Sequence, residues 1–284
     1  MREILEYFGV PQLLYTITLT ISGLIVSGFL ENFFDNWICL FFKILAATSL
    51  WEFTHIINDI FDEKIDKILG KKTLITSSLI SKKTYFKVAI LFLTISILPS
   101  LILKRIIFPL LVIFTILLNF IYSVPPLRLK RSGLKSCFIG LGSIIVFLFG
   151  YFWPSTHFTL QIYPPLTHEI ILLLILLFFS ASVGTVISDL KDFKGDKKHG
   201  IKTIFTVFGL ELGKKISLIL LFISFLMPII LFHTVVEIIA FIFIATISTF
   251  LFKETESANL IILLSILVII YCTLRFAGTF YISF

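Results

Sequence analysis

The sequence predicts an all-α, polytopic membrane protein of about nine transmembrane helices, and three observations carry that prediction. Of 284 residues, 58% are hydrophobic and only 14% are charged, with a mean hydropathy of +1.06, which is far too apolar for an ordinary soluble domain. The apolar residues gather in stretches close to the roughly 20 residues a helix needs to cross hydrocarbon. The cations gather after every second stretch, as in loops kept on one side of a bilayer.

The stretches fall near 11–30, 36–59, 82–101, 106–123, 134–153, 168–188, 212–232, 235–252 and 257–277. The first follows Arg2, Glu3 and Glu6 and has no small-residue cleavage site, so it is expected to stay as a helix rather than leave as a signal peptide. The second and sixth end in acidic runs, and the fourth is ended by Pro125-Pro126. No room is left for a soluble domain. The chain therefore reads as one membrane domain over 1–284, with matching placements suggesting a pseudo-repeat of two four-helix halves plus a ninth helix. Cys39, Cys137 and Cys272 all lie in apolar stretches without paired spacing, which argues for packing thiols rather than a disulfide framework or a zinc site.

A net charge of +7 would suggest nucleic acid in a soluble protein, but its distribution points to a bilayer instead. Lysines 64, 67, 71, 72, 82, 83 and 87 follow the second stretch. Arg128, Lys130, Arg131 and Lys135 follow the fourth, Lys191 to Lys215 the sixth, and Lys253 the eighth, whereas the opposite loops hold little beyond Lys104 and Arg105. With nine helices this places the basic loops and the N-terminus in the cytoplasm and the C-terminus outside.

Acids beside hydrocarbon are costly and are functional candidates by default. Asn58-Asp59-Ile60-Phe61-Asp62-Glu63-Lys64-Ile65-Asp66 closes the second stretch, and Asp189-Leu190-Lys191-Asp192-Phe193-Lys194-Gly195-Asp196 closes the sixth. In each run the aspartates stand at i, i+3 and i+7, which forms one stripe on a helix. Like charges so stacked require cations. Oxygen-only ligands suit a hard ion, and Mg²⁺ takes one or two carboxylates and completes its shell with water and phosphate. That chemistry fits a diphosphate. The competing reading, two solvated helix ends of mixed charge, does not account for identical spacing at both places. Between the two runs, Tyr122-Ser123-Val124-Pro125-Pro126-Leu127-Arg128-Leu129-Lys130-Arg131 brings cations directly after a helix end. Arg128 there suits bidentate contact with phosphate and Lys130 a point contact, the alternative being a positive-inside anchor.

These residues resemble the UbiA superfamily of intramembrane prenyltransferases. Asn58-Asp59-x-x-Asp62-x-x-x-Asp66 is similar to its first aspartate motif and Asp189-x-x-Asp192-x-x-x-Asp196 to its second, while Tyr122 to Lys130 is similar to its Tyr-Ser-x-Pro-Pro-x-x-x-Lys loop. The resemblance implies nine helices around a central cavity and Mg²⁺-dependent transfer of a prenyl group from a prenyl diphosphate to a lipophilic acceptor, with Mn²⁺ as a possible substitute. It implies that Asp59, Asp62, Asp66, Asp189, Asp192 and Asp196 hold metal, that Asn58 lines the first motif, that Arg128, Lys130 and Lys191 contact diphosphate, and that Tyr122 lies near the reacting carbon. Where many members carry Asn-Arg-Pro, this chain has Leu69-Gly70-Lys71-Lys72-Thr73, so Lys71 and Lys72 keep charge for phosphate but lose the guanidinium fork. Gly200-Ile201-Lys202-Thr203, with Gly209, resembles the continuation after the second motif.

Glu52 and His55 precede Asp59 by seven and four residues on the same helical stripe and are candidates for handling the acceptor or its proton, or for a structural polar pair. His157, His168, His199 and His233 show no ligand spacing, Lys43 and Arg275 lie within apolar stretches without an assigned role, and most of the 33 phenylalanines read as packing or lipid-facing. The rival from another class is a divalent-cation transporter built on paired acidic helix ends. A conduction path needs acids near the midplane, and here they lie at stretch ends. A non-catalytic prenyl-lipid binder is a third reading, against which six intact aspartates argue. Quinone-precursor aromatics, a chlorin-type alcohol acceptor and isoprenoid glycerol-phosphate lipids all stay open as acceptors.

Overall fold

The computed structural model describes residues 10–28, 33–68, 70 and 73–281. Among them the regular elements are helical, apart from an isolated bridge between Arg105 and Thr159. In chain order these are α1 (Val10–Val26), α2 (Phe33–Ile68), α3 (Lys82–Ile102), α4 (Ile107–Ser123), α5 (Lys135–Tyr151), α6 (His168–Lys198), a short α7 (Ile204–Phe208), α8 (Leu210–Leu226), α9 (Val235–Thr255) and α10 (Ala258–Tyr281). Tight 3₁₀ turns follow at Leu129–Arg131 and Met227–Ile230. Six helices are long and apolar enough to cross a membrane, and α1, α4 and α5 are shorter apolar helices. Every apolar stretch of the sequence thus reappears as a helix.

Two helices outrun their apolar stretches. α2 has 36 residues and α6 has 31, or about 54 and 46 Å at 1.5 Å per residue, against a hydrocarbon core of about 30 Å. Hydropathy ends where the charges begin, but helical backbone satisfies its own hydrogen bonds and tolerates Glu63, Lys64 and Lys67 well. The aspartate stripes therefore lie on continuous helix rather than in loops.

The described chain divides into two compact units, and α5 and α10 contribute residues to both. The first comprises 1–128, 145–165 and 273–284. In it α2 packs against α1, α3 and α4. α1 and the last turn of α5 cross very closely: a Cβ on Gly150 would lie 1.8 Å from the Thr20 carbonyl oxygen, and one on Gly23 would lie 2.1 Å from that of Phe147. Small residues permit this approach. The fully buried Lys43 of α2 donates to the Gly150 carbonyl at 2.8 Å, so a cation meets the C-terminal end of α5, where carbonyls lack helical partners and the dipole favours positive charge. Trp153 Nε1 donates to the Ser27 carbonyl at 3.1 Å beside it.

The second unit comprises 129–144 and 166–272. Its core joins Val183 and Ile187 of α6 to Leu221 and Phe225 of α8, Ala245 and Phe252 of α9, and Ile261 of α10. A Cβ on Gly140 would lie 2.5 Å from Ser182 Oγ and 2.8 Å from the Phe178 carbonyl oxygen, and Ser182 Oγ donates to the Ser136 carbonyl at 3.1 Å. These small residues bring α5 against α6. Gly200, at φ +66°, ends α6, and Thr203 caps α7 reciprocally with Thr206.

Gly150→Ala should therefore destabilise the protein by about 1–3 kcal/mol through overpacking. Gly142→Ala, with nothing within 4 Å of the added Cβ, should be neutral or stabilising by up to about 1 kcal/mol through helix propensity. Thermal unfolding of both variants in one detergent checks the contrast.

Candidate active site

The extended end of α2 carries Asn58, Asp59, Asp62 and Asp66. Three neighbouring elements of the first unit meet it. From α3, Tyr85, buried, donates its hydroxyl to Asp59 Oδ2 at 3.2 Å. From the last turn of α4, Ser123 Oγ donates to Asn58 Oδ1 at 3.2 Å, and Asn119 Nδ2 donates to the Thr54 carbonyl at 3.2 Å, pinning α4 along α2. After α4, Val124 turns extended before Pro125 and the chain doubles back so that Arg128 N donates to the Val124 carbonyl at 3.1 Å. Arg128 adopts φ +42° there. Its Nη2 donates to the Phe61 carbonyl at 2.9 Å and pairs with Asp62 Oδ1, both partners being largely buried.

Arg128, read from sequence as a phosphate contact, is thus joined directly to one of the expected metal ligands. Its buried Nε has no hydrogen-bond partner. Asp66 is also buried. Glu63 lies off the aspartate stripe and pairs with Lys67 at 2.8 Å and Lys82 at 3.4 Å. Glu52 is half-buried, within electrostatic reach of Asp59 and Tyr85. His55 is exposed, with its ring 5.0 Å from that of Trp51. Tyr122 is half-buried in the last turn of α4. Lys71 and Lys72 lie outside the described residues.

In the second unit the extended end of α6 carries Asp189 and Asp196 buried, and Asp192 and Lys191 exposed. Lys135, the first residue of α5, pairs with Asp189 Oδ1 and lies within electrostatic reach of Asp196. Asp196 Oδ2 is buried without a hydrogen-bond partner. Lys130 is buried in the 3₁₀ turn of residues 129–131, and Lys202 N donates to the Arg131 carbonyl at 3.1 Å, tying that turn to the chain that follows α6.

Among the described residues, no three His, Cys, Asp or Glu side chains gather closely enough to cage an ion by themselves. In the second unit the buried, unpartnered acceptor Asp196 Oδ2 suits an ion such as Mg²⁺ that takes few oxygen ligands from protein and completes its shell with phosphate and water; in the first unit the unpartnered N–H of Arg128 Nε suits an anion.

Tyr85, Ser123, Asn119 and Lys135 were not singled out as site residues by sequence reasoning. Ser123 lies inside the Tyr-Ser-x-Pro-Pro segment and Lys135 begins a helix four residues after a basic turn, so both had a local signal. Tyr85 and Asn119 had none, since neither belongs to a motif or a spacing that marks it out.

A model of the UbiA prenyltransferase family matches residues 17–260. Among curated proteins, chloroplastic chlorophyll synthase of Avena sativa is 26% identical over 194 residues, covering 65% of this chain and 48% of that protein. The chain thus spans about half the length of the curated relatives it matches. Among solved structures, the apo form of a UbiA homologue from Aeropyrum pernix K1 has a TM-score of 0.70 at 14% identity, over 93% of this chain and 97% of that one. A UbiA homologue from Archaeoglobus fulgidus bound to DMAPP and Mg²⁺ has a TM-score of 0.65 at 16% identity, over 94% and 96%. At such identities the likeness concerns the fold.

Lys135→Met should cost up to about 3 kcal/mol, because it leaves the buried Asp189 carboxylate without its cation. The double variant Lys135→Met/Asp189→Leu should recover most of that loss. Thermal unfolding of the single and double variants in detergent, as a double-mutant cycle, measures both.

Proposed function

The chain belongs to the UbiA prenyltransferase family, and from that premise we propose that it catalyses Mg²⁺-dependent transfer of a prenyl group from a polyprenyl diphosphate to a lipophilic acceptor, releasing diphosphate. The observation that carries the reading is the repeated aspartate stripe on the helical extensions of α2 and α6, where Asp62 pairs with Arg128 in one unit and Asp189 with Lys135 in the other. Asp59, Asp62 and Asp66 on α2, and Asp189, Asp192 and Asp196 on α6, are the residues that would hold Mg²⁺. Bound there, the ion would neutralise charge on the departing diphosphate.

The protein's own groups supply the rest. Arg128, Lys130 and Lys191, with Lys71 and Lys72, hold diphosphate oxygens by charge-assisted hydrogen bonds. Tyr85 orients the Asp59 carboxylate, and Ser123 orients the Asn58 amide oxygen. Tyr122 stands beside the allylic carbon. Apolar helix surfaces exclude water from that carbon as its bond to oxygen breaks. Glu52 takes up the acceptor's proton. The acceptor is a lipophilic nucleophile of the aromatic quinone-precursor, chlorin or isoprenoid glycerol-phosphate class. Turnover with one representative of each, across donors of graded chain length, identifies it. A cation-transport role is not favoured, because the aspartates lie on the extensions of α2 and α6 beyond their apolar stretches rather than at mid-span. These ends face the cytoplasm in the proposed orientation.

Purified protein should lose turnover in excess chelator and regain it with Mg²⁺ or Mn²⁺. Asp59→Ala and Asp192→Ala should each lower turnover by roughly 10²-fold, the scale of one lost transition-state electrostatic contact, with partial recovery at raised Mg²⁺. Arg128→Ala should raise donor KM as well as lower rate. Full activity of the aspartate variants, or of wild type in chelator, would sink the reading.

Orientation has its own check. Cysteines placed at Lys83 and Lys197 should react with an impermeant thiol reagent in inverted vesicles and stay unlabelled in intact cells.

A further inference from the structure

We propose that a groove on the first unit, bounded by Ile60 of α2 and by Lys82, Lys83, Phe86 and Lys87 of α3, binds the phosphate headgroup of an anionic membrane phospholipid, with an acyl chain against its apolar wall. The groove has a volume of about 570 Å³. Its surface is almost wholly apolar: Ile60, Phe86 and the carbon stems of Lys82, Lys83 and Lys87 line it, which leaves the three ammonium groups for its rim. A ligand that matches it is apolar along its length and anionic at one end.

Among the described residues, the charges around the groove are balanced only in part. Glu63 is shared between Lys67 and Lys82, and among the described residues Lys83 and Lys87 make no ion pair. Lys82 and Lys83 also lie in the first turn of α3, where the positive end of the helix dipole disfavours cations. An anion beside them offsets that cost.

The level of the groove selects the source of that anion. Lys82 opens an apolar span, Lys82–Ile102, and Phe86, Ile90 and Leu91 one to two turns along it are exposed, so they face lipid while the lysines stand where headgroups lie. Basic pockets at helix ends bind phospholipid headgroups on this principle. The groove lies on a different face of α3 from the one that meets the aspartate stripe. Tyr85, which meets Asp59, is buried, whereas Lys82, Lys83, Phe86 and Lys87 on either side of it are exposed.

The test uses purified full-length protein in maltoside micelles, titrated separately with dioleoyl-phosphatidylglycerol, dioleoyl-phosphatidylcholine and glycerol 3-phosphate. Thermal stability and native mass spectrometry report binding. Phosphatidylglycerol should bind saturably and raise Tm, and the other two should not. Lys83→Gln/Lys87→Gln should weaken phosphatidylglycerol binding by on the order of tenfold or more, from the loss of two near-surface cations. Phe86→Ala should weaken it as well. Lys215→Gln/Lys253→Gln, which removes equal charge from exposed sites elsewhere, should bind as wild type does. Where a variant's lipid-free Tm differs from wild type, the lipid count by mass spectrometry decides. The proposal falls if the Lys83/Lys87 variant keeps wild-type binding, or if the control pair weakens it equally, which would mean diffuse surface charge. It also falls if phosphatidylcholine or glycerol 3-phosphate matches phosphatidylglycerol, which would mean acyl packing or a free anion alone.

Discussion

A carboxylate held beside hydrocarbon has to be neutralised, and that constraint explains most of what gathers around the far ends of α2 and α6. Isolated charge in low dielectric costs several kcal/mol, yet each helix carries three aspartates in one stripe. The protein answers with a basic partner from a neighbouring segment: Arg128 from the turn after α4 for Asp62, and Lys135 from the start of α5 for Asp189. The turn after α4 and the start of α5 are thereby tied to acidic helices by charge as well as by packing. The same constraint makes the stripes suited to a divalent ion and an anionic substrate, since closely spaced carboxylates favour further positive charge among them.

Such precision depends on how closely the helices approach. α5 reaches α6 because Gly140, Ser136 and Ser182 leave room for backbone against backbone, and Lys135 meets Asp189 as a consequence. α1 and α5 cross through Gly23 and Gly150 in the same way. The buried Lys43 then finds a place that composition does not suggest, donating to a carbonyl in the last turn of α5. Without a hydrophobic drive between helices inside a bilayer, close packing of small residues and hydrogen bonds of this kind supply the cohesion.

The exposed charges follow a different logic from the buried ones. Arg128 and Lys135 meet carboxylates inside the protein, whereas Lys83 and Lys87 stand on the surface at the mouth of an apolar groove. All four are among the cations from whose distribution the topology was read. The cation count alone does not separate the two kinds; the partner of each does.

The sequence by itself determined the fold class, the helices, the two aspartate stripes and the family, because apolar length, 3.6-residue spacing and short motifs are local properties of the chain. The family model bears out the resemblance, and the nine apolar stretches all became helices. What it could not determine was where α2 and α6 stop, since charged residues end an apolar stretch without ending a helix. Nor could it say what each charge meets. Spacing showed neither that Arg128, expected at phosphate, also pairs with Asp62, nor that Lys135, one cation of a basic run, pairs with Asp189. Tyr85 carried no signal at all, and it reaches Asp59 across 26 residues of chain. Such contacts join residues that spacing along one helix cannot relate, so only the packing of helix on helix decides them.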